Sequence, residues 1–108
     1  MKERPTDIPE NGFYSHYKHD PVGAFGNYMY EVVGLGRNTE EDTYTILYRP
    51  LYKSEWLEPA NFCCRPYDMF VGSLEVNGKI VQRFRRITDT EVIKKLEKIK
   101  EEMYPVRF

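Results

Sequence analysis

The chain has 108 residues, of which 41% are hydrophobic and 31% are charged. This length and balance are typical of one folded domain with a single hydrophobic core. The net charge is −1, so no overall field attracts the chain to nucleic acid or to an anionic membrane, and any basic site must be a local cluster.

The sequence pattern contains no candidate membrane segment. No stretch approaches the roughly 20 apolar residues that span a bilayer, and the first residues lack the apolar run of a signal peptide. Cys63 and Cys64 are adjacent and are the only two cysteines, so they cannot build a disulfide framework. We therefore expect a cytoplasmic protein with reduced thiols and no membrane partner.

The first part of the chain predicts a lead-in, a strand and a loop. Residues 1–11 contain two prolines and predict an extended lead-in to a single domain at residues 12–108. Gly12–Lys18 is short and aromatic, which predicts a first strand. Residues 19–27 contain one proline and two glycines, and this composition is typical of a loop.

Two further strands are predicted to pair as a hairpin. Tyr28–Val33 alternates between two faces, and Gly34–Gly36 is expected to break or bend it. After the polar turn of residues 37–42, Thr43–Tyr48 alternates again. Pro50 ends this strand or confines its end to a sheet edge.

The middle of the chain carries weaker signals. Residues 51–61 are irregular, and we expect Trp56 and Leu57 among them to cover the core. Arg65–Phe70 predicts a turn or one short helical turn, with Pro66 suited to its first position because that position needs no N–H.

The clearest local signal is Asn77–Gly78, which lies between Val71–Val76 and Lys79–Ile87. Asn-Gly favours the type I′ turn, whose twist matches the strands on both sides. This turn predicts a hairpin in which Leu74 and Val81 face each other.

The last predicted element is a helix over residues 89–103, ended by Pro105. Thr88 and Glu91 fit the capping-box pattern. One apolar stripe recurs at helical spacing: Val92, Ile93, Leu96, Ile99 and Met103. We expect this stripe to pack on the sheet; the alternative is a contact between two copies of the chain.

Together these elements predict a mainly β (α+β) fold. We expect a small antiparallel SH3-like β-barrel or a strongly twisted sheet, with one C-terminal amphipathic helix. The sequence has no internal repeat and no low-complexity segment, so a second domain is not expected.

Metal, cofactor and catalytic motifs are incomplete. Gly34–Thr39 begins like a dinucleotide fingerprint but lacks the last glycine and a following helix. His16, His19, Cys63 and Cys64 are zinc-ligand types, but adjacent cysteines lack the spacing of structural zinc sites. A thiol nucleophile with His16 as its base would lack a third, orienting group. We therefore expect no metal, no cofactor and no enzyme, and a thiol-dependent hydrolase is the least favoured hypothesis.

Basic residues among aromatic residues form the most suggestive pattern. Aromatic faces stack bases, and arginine forks onto phosphate or carboxylate. The candidate ligand-binding residues are His16, Tyr17, Lys18, Tyr48, Arg49, Arg65 and Arg83. The alternative is structural, with the tyrosines in the core and the arginines paired or solvated.

A series of short motifs runs through residues 12–84. They are Gly12–Lys18, Tyr30–Gly34 with Arg37, Thr39–Glu41, Tyr48–Tyr52, Arg65–Phe70, and Gly78 with Arg83–Phe84. Together they resemble a bacterial family known as domain of unknown function 1653. The family name carries no established activity, so the resemblance implies a small β-rich domain. It also nominates positions that match the polar motifs of the family: His16, Tyr17, Lys18, Arg49, Arg65 and Arg83.

The chain departs from the family pattern in two loops. Residues 19–27 are longer than the usual short turn of the family, and residues 53–64 are expanded. Trp56 stands far from Arg65–Pro66, whereas the family tends to place a tryptophan just before that pair. The loops around any site are therefore expected to differ, and the C-terminal helix lies outside the resemblance.

Two functions follow from these observations. The first is a non-catalytic binding module that holds an anionic planar ligand, a nucleotide or single-stranded nucleic acid, on the tyrosine and arginine surface. The alternative is a protein-interaction or self-assembly module that uses a sheet edge or the helix stripe, with a protein partner or a second copy of the chain.

Overall fold

The computed structural model describes residues 4–52 and 62–104. Trp56, Leu57 and Pro105, for which the sequence makes predictions, lie outside these ranges. The described strands are β1 (Gly12–His16), β2 (Met29–Asn38), β3 (Thr43–Pro50), β4 (Cys63–Pro66), β5 (Ser73–Val76), β6 (Lys79–Gln82) and β7 (Phe84–Arg86). The described helices are α1 (Tyr67–Val71) and α2 (Thr90–Met103). Within these ranges, neither helix is long and apolar enough to cross a membrane.

Five strands form one antiparallel sheet in the order β4-β3-β2-β1-β7, and β5 pairs with β6 in a separate two-stranded sheet. The predicted mainly β fold with a C-terminal helix is therefore confirmed. In the described part of the chain the edge strands β4 and β7 do not pair with each other. The sheet is thus not a closed barrel, and the SH3-like barrel is not confirmed.

The five-stranded sheet curls strongly. In a flat sheet, strands three places apart would be separated by roughly 14 Å. Yet the ring of Phe84 on β7 lies 5.8 Å from the ring of Tyr48 on β3, measured between ring centroids. The outer strands therefore bend toward each other, which brings side chains from distant parts of the sequence together on the concave face.

Strand β2 continues past the predicted break at Gly34–Gly36. Its register with β3 shifts between Val32 and Gly34, which marks a β-bulge at Val33. A bulge bends a strand and increases its twist without ending the pairing. The strand therefore resumes and extends to Asn38, and the connecting turn is shorter than predicted.

Strand β4 was not predicted from the sequence. It is a four-residue edge strand that contains two cysteines and a proline, and so it carries little alternating pattern. Its register pairs Cys63 with Tyr48 and Arg65 with Ile46. Because paired residues share a face of the sheet, Arg65 lies on the same face as Tyr48.

The Asn77–Gly78 turn forms as predicted. Both residues have positive φ, 50° and 78°, which is the type I′ conformation that suits Asn-Gly. Leu74 pairs with Val81, so the predicted register is confirmed.

The predicted strand Lys79–Ile87 divides into two at Arg83. The first part, β6, stays in the hairpin, and the second part, β7, pairs with β1. Arg83 donates its backbone N–H to the Gly72 carbonyl at 3.1 Å and accepts the Tyr17 N–H at 2.9 Å. This one residue ends the hairpin and begins the edge of the large sheet, which local patterning cannot show.

Helix α2 packs on the convex face of the sheet through its apolar stripe. Leu96 is fully buried in a cluster with Phe13, Met29 and Leu51. The N-cap is Asp89 rather than the predicted Thr88, because the Asp89 carboxylate accepts the backbone N–H of Glu91 and of Val92.

The two faces of the sheet carry different side chains. The concave face, called the aromatic face here, carries a cluster of buried residues: Tyr14, Tyr30, Val32, Ile46, Tyr48 and Phe84, with Phe70 of α1 packed against them. The convex face, called the helix face, carries Phe13, Glu31, Arg49 and Leu51 beneath α2. The candidate site is built on one end of the aromatic face.

Candidate anion-binding site

His16 is the centre of the candidate site. It ends β1 on the aromatic face and is buried. Its ring centroid lies 5.0 Å from that of Phe84, 4.5 Å from that of Tyr17 and 5.8 Å from that of Tyr28. The imidazole is therefore enclosed by aromatic rings from β7 and from the two segments that flank the 19–27 loop.

The surroundings of His16 keep it neutral. Burial is the largest cause that lowers its pKa, followed by the charges of Arg65, Arg83 and Lys18, and together they bring the pKa to about 4. The Nδ1 atom accepts the backbone N–H of Lys18 at 3.2 Å, so the neutral ring carries its proton on Nε2. At neutral pH His16 is therefore a single hydrogen-bond donor among three cations.

Arg65 reaches the site from the opposite edge of the sheet. Its guanidinium carbon lies 5.4 Å from the centroid of the Phe84 ring, and Phe84 is on β7. Its Nε donates to the Tyr48 hydroxyl at 3.4 Å. The curl of the sheet thus places a cation from β4 against the end of β1.

Arg83 is fixed at the junction of β6 and β7 by its two backbone hydrogen bonds. Its Nε is buried and has no hydrogen-bond partner in the part of the chain that the structure describes. A buried donor that stays unpaired costs about 1–3 kcal/mol. Because the atom is closed to solvent, an acceptor could remove this cost only if the side chains around Arg83 moved to admit it.

We call His16, Lys18, Arg65 and Arg83 the basic cluster. Between residues 4–52 and 62–104, no carboxylate oxygen lies within ion-pair distance of Lys18, Arg65 or Arg83. Described ion pairs elsewhere are Arg37–Asp42, Arg49–Glu31, Lys100–Glu31, Arg86–Glu10 and Lys94–Glu91. The basic cluster is therefore a local excess of positive charge in a chain whose net charge is −1.

Three tyrosines, which we call the tyrosine row, lie beside the basic cluster: Tyr17, Tyr28 and Tyr52. The ring of Tyr28 lies 5.8 Å from both His16 and Tyr52 and is 37% exposed. The hydroxyl groups of Tyr52 and Tyr30 lie 2.6 Å apart, and burial raises the pKa of both phenols. The row thus offers one exposed ring, that of Tyr28, next to the half-buried rings of Tyr17 and Tyr52.

Arg49 is separated from the other predicted site residues. It lies on the helix face, where its Nε is 2.7 Å from a carboxylate oxygen of buried Glu31 and its guanidinium carbon is 4.0 Å from the centroid of the Tyr104 ring. The second oxygen of Glu31 accepts from Lys100 of α2 at 2.7 Å. Arg49 therefore belongs to a buried network that joins the helix to the sheet.

The remaining predicted residues differ in their access to a ligand. His16, Arg65 and Arg83 converge, with Lys18 and Tyr17 beside them. Tyr48 is buried in the core and acts on the site only through its hydroxyl, which accepts from Arg65.

Sequence reasoning missed Tyr28, Tyr52 and Phe84 as site residues. Tyr52 and Phe84 lie within the family-like motifs, and they also stand near Arg49 and Arg83 in the pattern of basic residues among aromatic residues. Their proximity to His16 depends on the curl of the sheet and on the return of the 19–27 loop, neither of which leaves a local pattern.

The cysteines provide little support for thiol chemistry. Burial is the first cause that raises the pKa of the Cys63 thiol, and the neighbouring Cys64 raises it further. A thiol nucleophile needs the opposite shift, because the thiolate is the reactive form.

His19 lies in the loop, with its Nδ1 2.7 Å from the Asn27 carbonyl oxygen. In the described ranges, no three acidic, histidine or cysteine side chains are placed to hold a metal ion.

Two of the surface clefts in the described part of the chain contain no residue of the basic cluster and no arginine or lysine. One of about 330 Å³ is lined by Pro5, Glu41, Thr43, Tyr44, Pro66, Tyr67 and Asp68. The other, of about 360 Å³, is lined by Ala24, Phe25, Asn27, Leu51, Tyr52, Ile99, Glu102 and Met103. Their charged lining residues are acidic, so neither cleft favours an anion.

Comparison with known proteins places these residues within a family. A family model described as "Protein of unknown function (DUF1653)" matches residues 12–86. The chain belongs to this family. A crystal structure of a DUF1653 protein from Bordetella bronchiseptica is 23% identical, with a TM-score of 0.56, over 74% of this chain and 92% of that chain. That likeness shows a shared fold. No curated protein matches the chain.

The DUF1653 match contains every strand that the structure describes, since β1 begins at Gly12 and β7 ends at Arg86. The whole basic cluster therefore lies within the family region of this domain. Helix α2 lies beyond it, although α2 supplies the apolar cover of the helix face in this DUF1653 domain.

Proposed function

We propose that this DUF1653 domain is a non-catalytic binding module for an anionic planar ligand, a nucleotide or a short single-stranded nucleic acid. The basic cluster would hold the anionic group, and the tyrosine row would stack the planar group. The observation that carries the proposal is the Nε of Arg83, which is buried and has no hydrogen-bond partner among residues 4–52 and 62–104, and whose guanidinium acts with Arg65 and Lys18 on a neutral His16.

The donor set suits a phosphate oxygen. Hydrogen bonds from arginine or lysine to phosphate are charge-assisted and about twice as strong as neutral ones. His16 adds a neutral donor that carries no charge of its own. Because the guanidinium of Arg65 lies against Phe84, part of its water shell is already removed, which strengthens its attraction for an anion.

The tyrosine row suits a base or another flat ring. Stacking of a base on an aromatic side chain is worth about 1–3 kcal/mol. Tyr28 is the exposed member, and the rings of His16 and Tyr52 each lie 5.8 Å from its ring. A ligand ring on Tyr28 would place an attached phosphate beside the basic cluster.

A thermal-shift panel of nucleotides and short oligonucleotides at low salt tests this proposal. A ligand present at about 100 times its Kd should stabilise the fold by about 2.7 kcal/mol and raise the melting temperature by roughly 10 °C. Arg83→Gln should abolish the shift, because it removes the guanidinium and its buried Nε.

Arg85→Gln is the matched control, since Arg85 is exposed on β7, two residues after Arg83, and pairs with Ser15 rather than with His16. It makes the same charge change and should keep the shift. No stabilisation by any ligand, or equal loss in the two variants, would contradict the proposed function.

A protein-interaction or self-assembly module is the second candidate. The β5–β6 hairpin favours it, because Ile80 on that hairpin is 73% exposed and the described strands include no further partner for either of its edges. The helix stripe is already packed on its own sheet. Sedimentation of the wild type and of Ile80→Ser would decide: a self-associating species lost in Ile80→Ser supports this function, and a monomer at all concentrations removes self-assembly through the hairpin.

A further inference from the structure

We infer that the basic cluster recognises a terminal phosphomonoester, as found on a mononucleotide or on the phosphorylated end of a strand, in preference to an internal phosphodiester. This inference rests on the proposed function. The proposed function allows either a nucleotide or a single strand, and the inference states which phosphate group of these ligands is bound.

The cations are concentrated at one point. The Lys18 Nζ lies 6.0 Å from the centroid of the Tyr17 ring and the Arg65 guanidinium carbon lies 5.4 Å from that of Phe84, and both rings contact His16. Arg83 precedes Phe84 and its carbonyl accepts the Tyr17 N–H, so three separate parts of the chain bring positive charge to His16. Proteins that bind the interior of a single strand instead offer a basic groove that follows the backbone, with several stacking platforms along it.

Four described arginines outside the cluster do not extend it into such a groove. Arg37 pairs with Asp42, Arg86 pairs with Glu10, and Arg49 lies on the opposite face of the sheet. The exposed Arg85 pairs with Ser15 in the sheet, on the same face as Met29, whereas His16 pairs with Phe84 on the aromatic face. The positive charge is thus localised in one cluster and does not form an extended basic groove.

The donors of the cluster match the acceptors of a terminal phosphate. A phosphomonoester carries a charge of about −1.5 to −2 at neutral pH and three acceptor oxygens, whereas a diester carries one negative charge and two such oxygens. The Arg83 and Arg65 guanidinium groups, the Lys18 ammonium and the Nε2–H of His16 combine three positive charges with one neutral donor, which complements a monoester better than a diester that carries one negative charge.

The distance to the tyrosine row also suits a small ligand. His16 belongs to the basic cluster and its ring lies 5.8 Å from the ring of Tyr28. The stacking surface and the anion site are therefore neighbours, which matches a base and a phosphate joined by a single sugar.

Isothermal titration with five ligands that share one base tests the inference. The ligands are the nucleoside, its 5′-monophosphate, the methyl ester of that monophosphate, and a four-nucleotide strand with and without a 5′-phosphate. We expect the monophosphate to bind at least about tenfold more tightly than its methyl ester, the change expected for one lost charge-assisted bond. The strand should show the same gain on phosphorylation.

Arg83→Gln should remove the difference between the monophosphate and its methyl ester, and Arg85→Gln should keep it. Melting temperatures of both variants without ligand show whether each is folded, and Arg83→Lys provides a second variant that keeps the charge but lacks the buried Nε. Equal binding of the monophosphate and its methyl ester, or of the two strands, would overturn the inference and leave the proposed function standing. Absence of binding by all ligands would overturn both.

Discussion

His16 shows how one residue can be central to a site without carrying its charge. An isolated histidine has a pKa near 6.5, and here burial and three neighbouring cations bring the pKa to about 4. The residue would therefore not act as a proton switch near neutral pH. Its contribution is a fixed ring between Tyr17, Tyr28 and Phe84, and one N–H donor.

The neutral state of His16 predicts how stability depends on pH. Because its folded pKa lies below its unfolded value, the unfolded chain binds the proton more tightly, and stability falls as the pH drops from about 6.5 toward 4. We expect this residue to account for a loss on the order of 1–2 kcal/mol between pH 7.5 and pH 5. Urea unfolding of the wild type and of His16→Gln at both pH values measures this loss of unfolding free energy. The variant should lack the part that comes from His16. Parallel pH curves for the two proteins would show that His16 is not held neutral by the fold.

At the scale of elements, the sequence predicts structure that depends on neighbouring residues, and it does not predict the pairing of distant segments. Asn77–Gly78 determines its turn through two positive φ angles, so the hairpin and its register followed from the sequence. The division of the next strand at Arg83 depends on the partners Gly72 and Tyr17, which no window around residue 83 contains.

For the candidate site, too, the sequence predicts the residue types but not how they come together. The residue types among aromatic neighbours pointed to His16, Arg65 and Arg83, but only the curl of the sheet joins them. The opposite placement of Arg49 could have been predicted, because Tyr48 and Arg49 are adjacent in a strand and successive side chains of a strand point to opposite faces. The bulge at Val33 and the edge strand β4 had no such signal.

The start of α2 gives a prediction at this scale. Asp89 accepts two N–H groups, from Glu91 and Val92, at 2.9 and 3.2 Å. Asp89→Ala should therefore destabilise the fold by about 1 kcal/mol, the usual cost of losing an N-cap. Thr88→Ala is the matched control and should change stability by only a few tenths of a kcal/mol, as expected away from a cap. Thermal or urea unfolding compares them, and a larger loss for Thr88→Ala would restore the capping box that the sequence predicts.

At the scale of the whole molecule, the two faces of one sheet separate stability from the proposed binding. The helix face holds Glu31 between Arg49 and Lys100, which ties α2 to β2 and β3. The aromatic face is packed by rings and carries the basic cluster at one end. Substitutions on the helix face should therefore change stability, and substitutions in the basic cluster should change ligand affinity.

Arg49→Met tests this separation. Removing one partner of a buried ion pair costs about 3–5 kcal/mol, and we expect the lower end of that range because Lys100 still contacts Glu31. Under conditions where the variant is folded, its affinity for the monophosphate should equal that of the wild type. Arg83→Gln should show the reverse pattern, with binding lost and stability kept. A loss of affinity in folded Arg49→Met would place Arg49 in the ligand site after all.

The open seam between β4 and β7 has a consequence for how copies of this protein meet. Unpaired strand edges are templates for aggregation, and natural proteins protect them by keeping edge strands short and placing proline or charged residues on them. Here the two edge strands have four and three residues; β4 ends in Pro66, and β7 carries Arg85 and Arg86. Edge-to-edge growth of the large sheet is thereby discouraged, so a concentrated solution of the folded domain should not form fibres through these two edges.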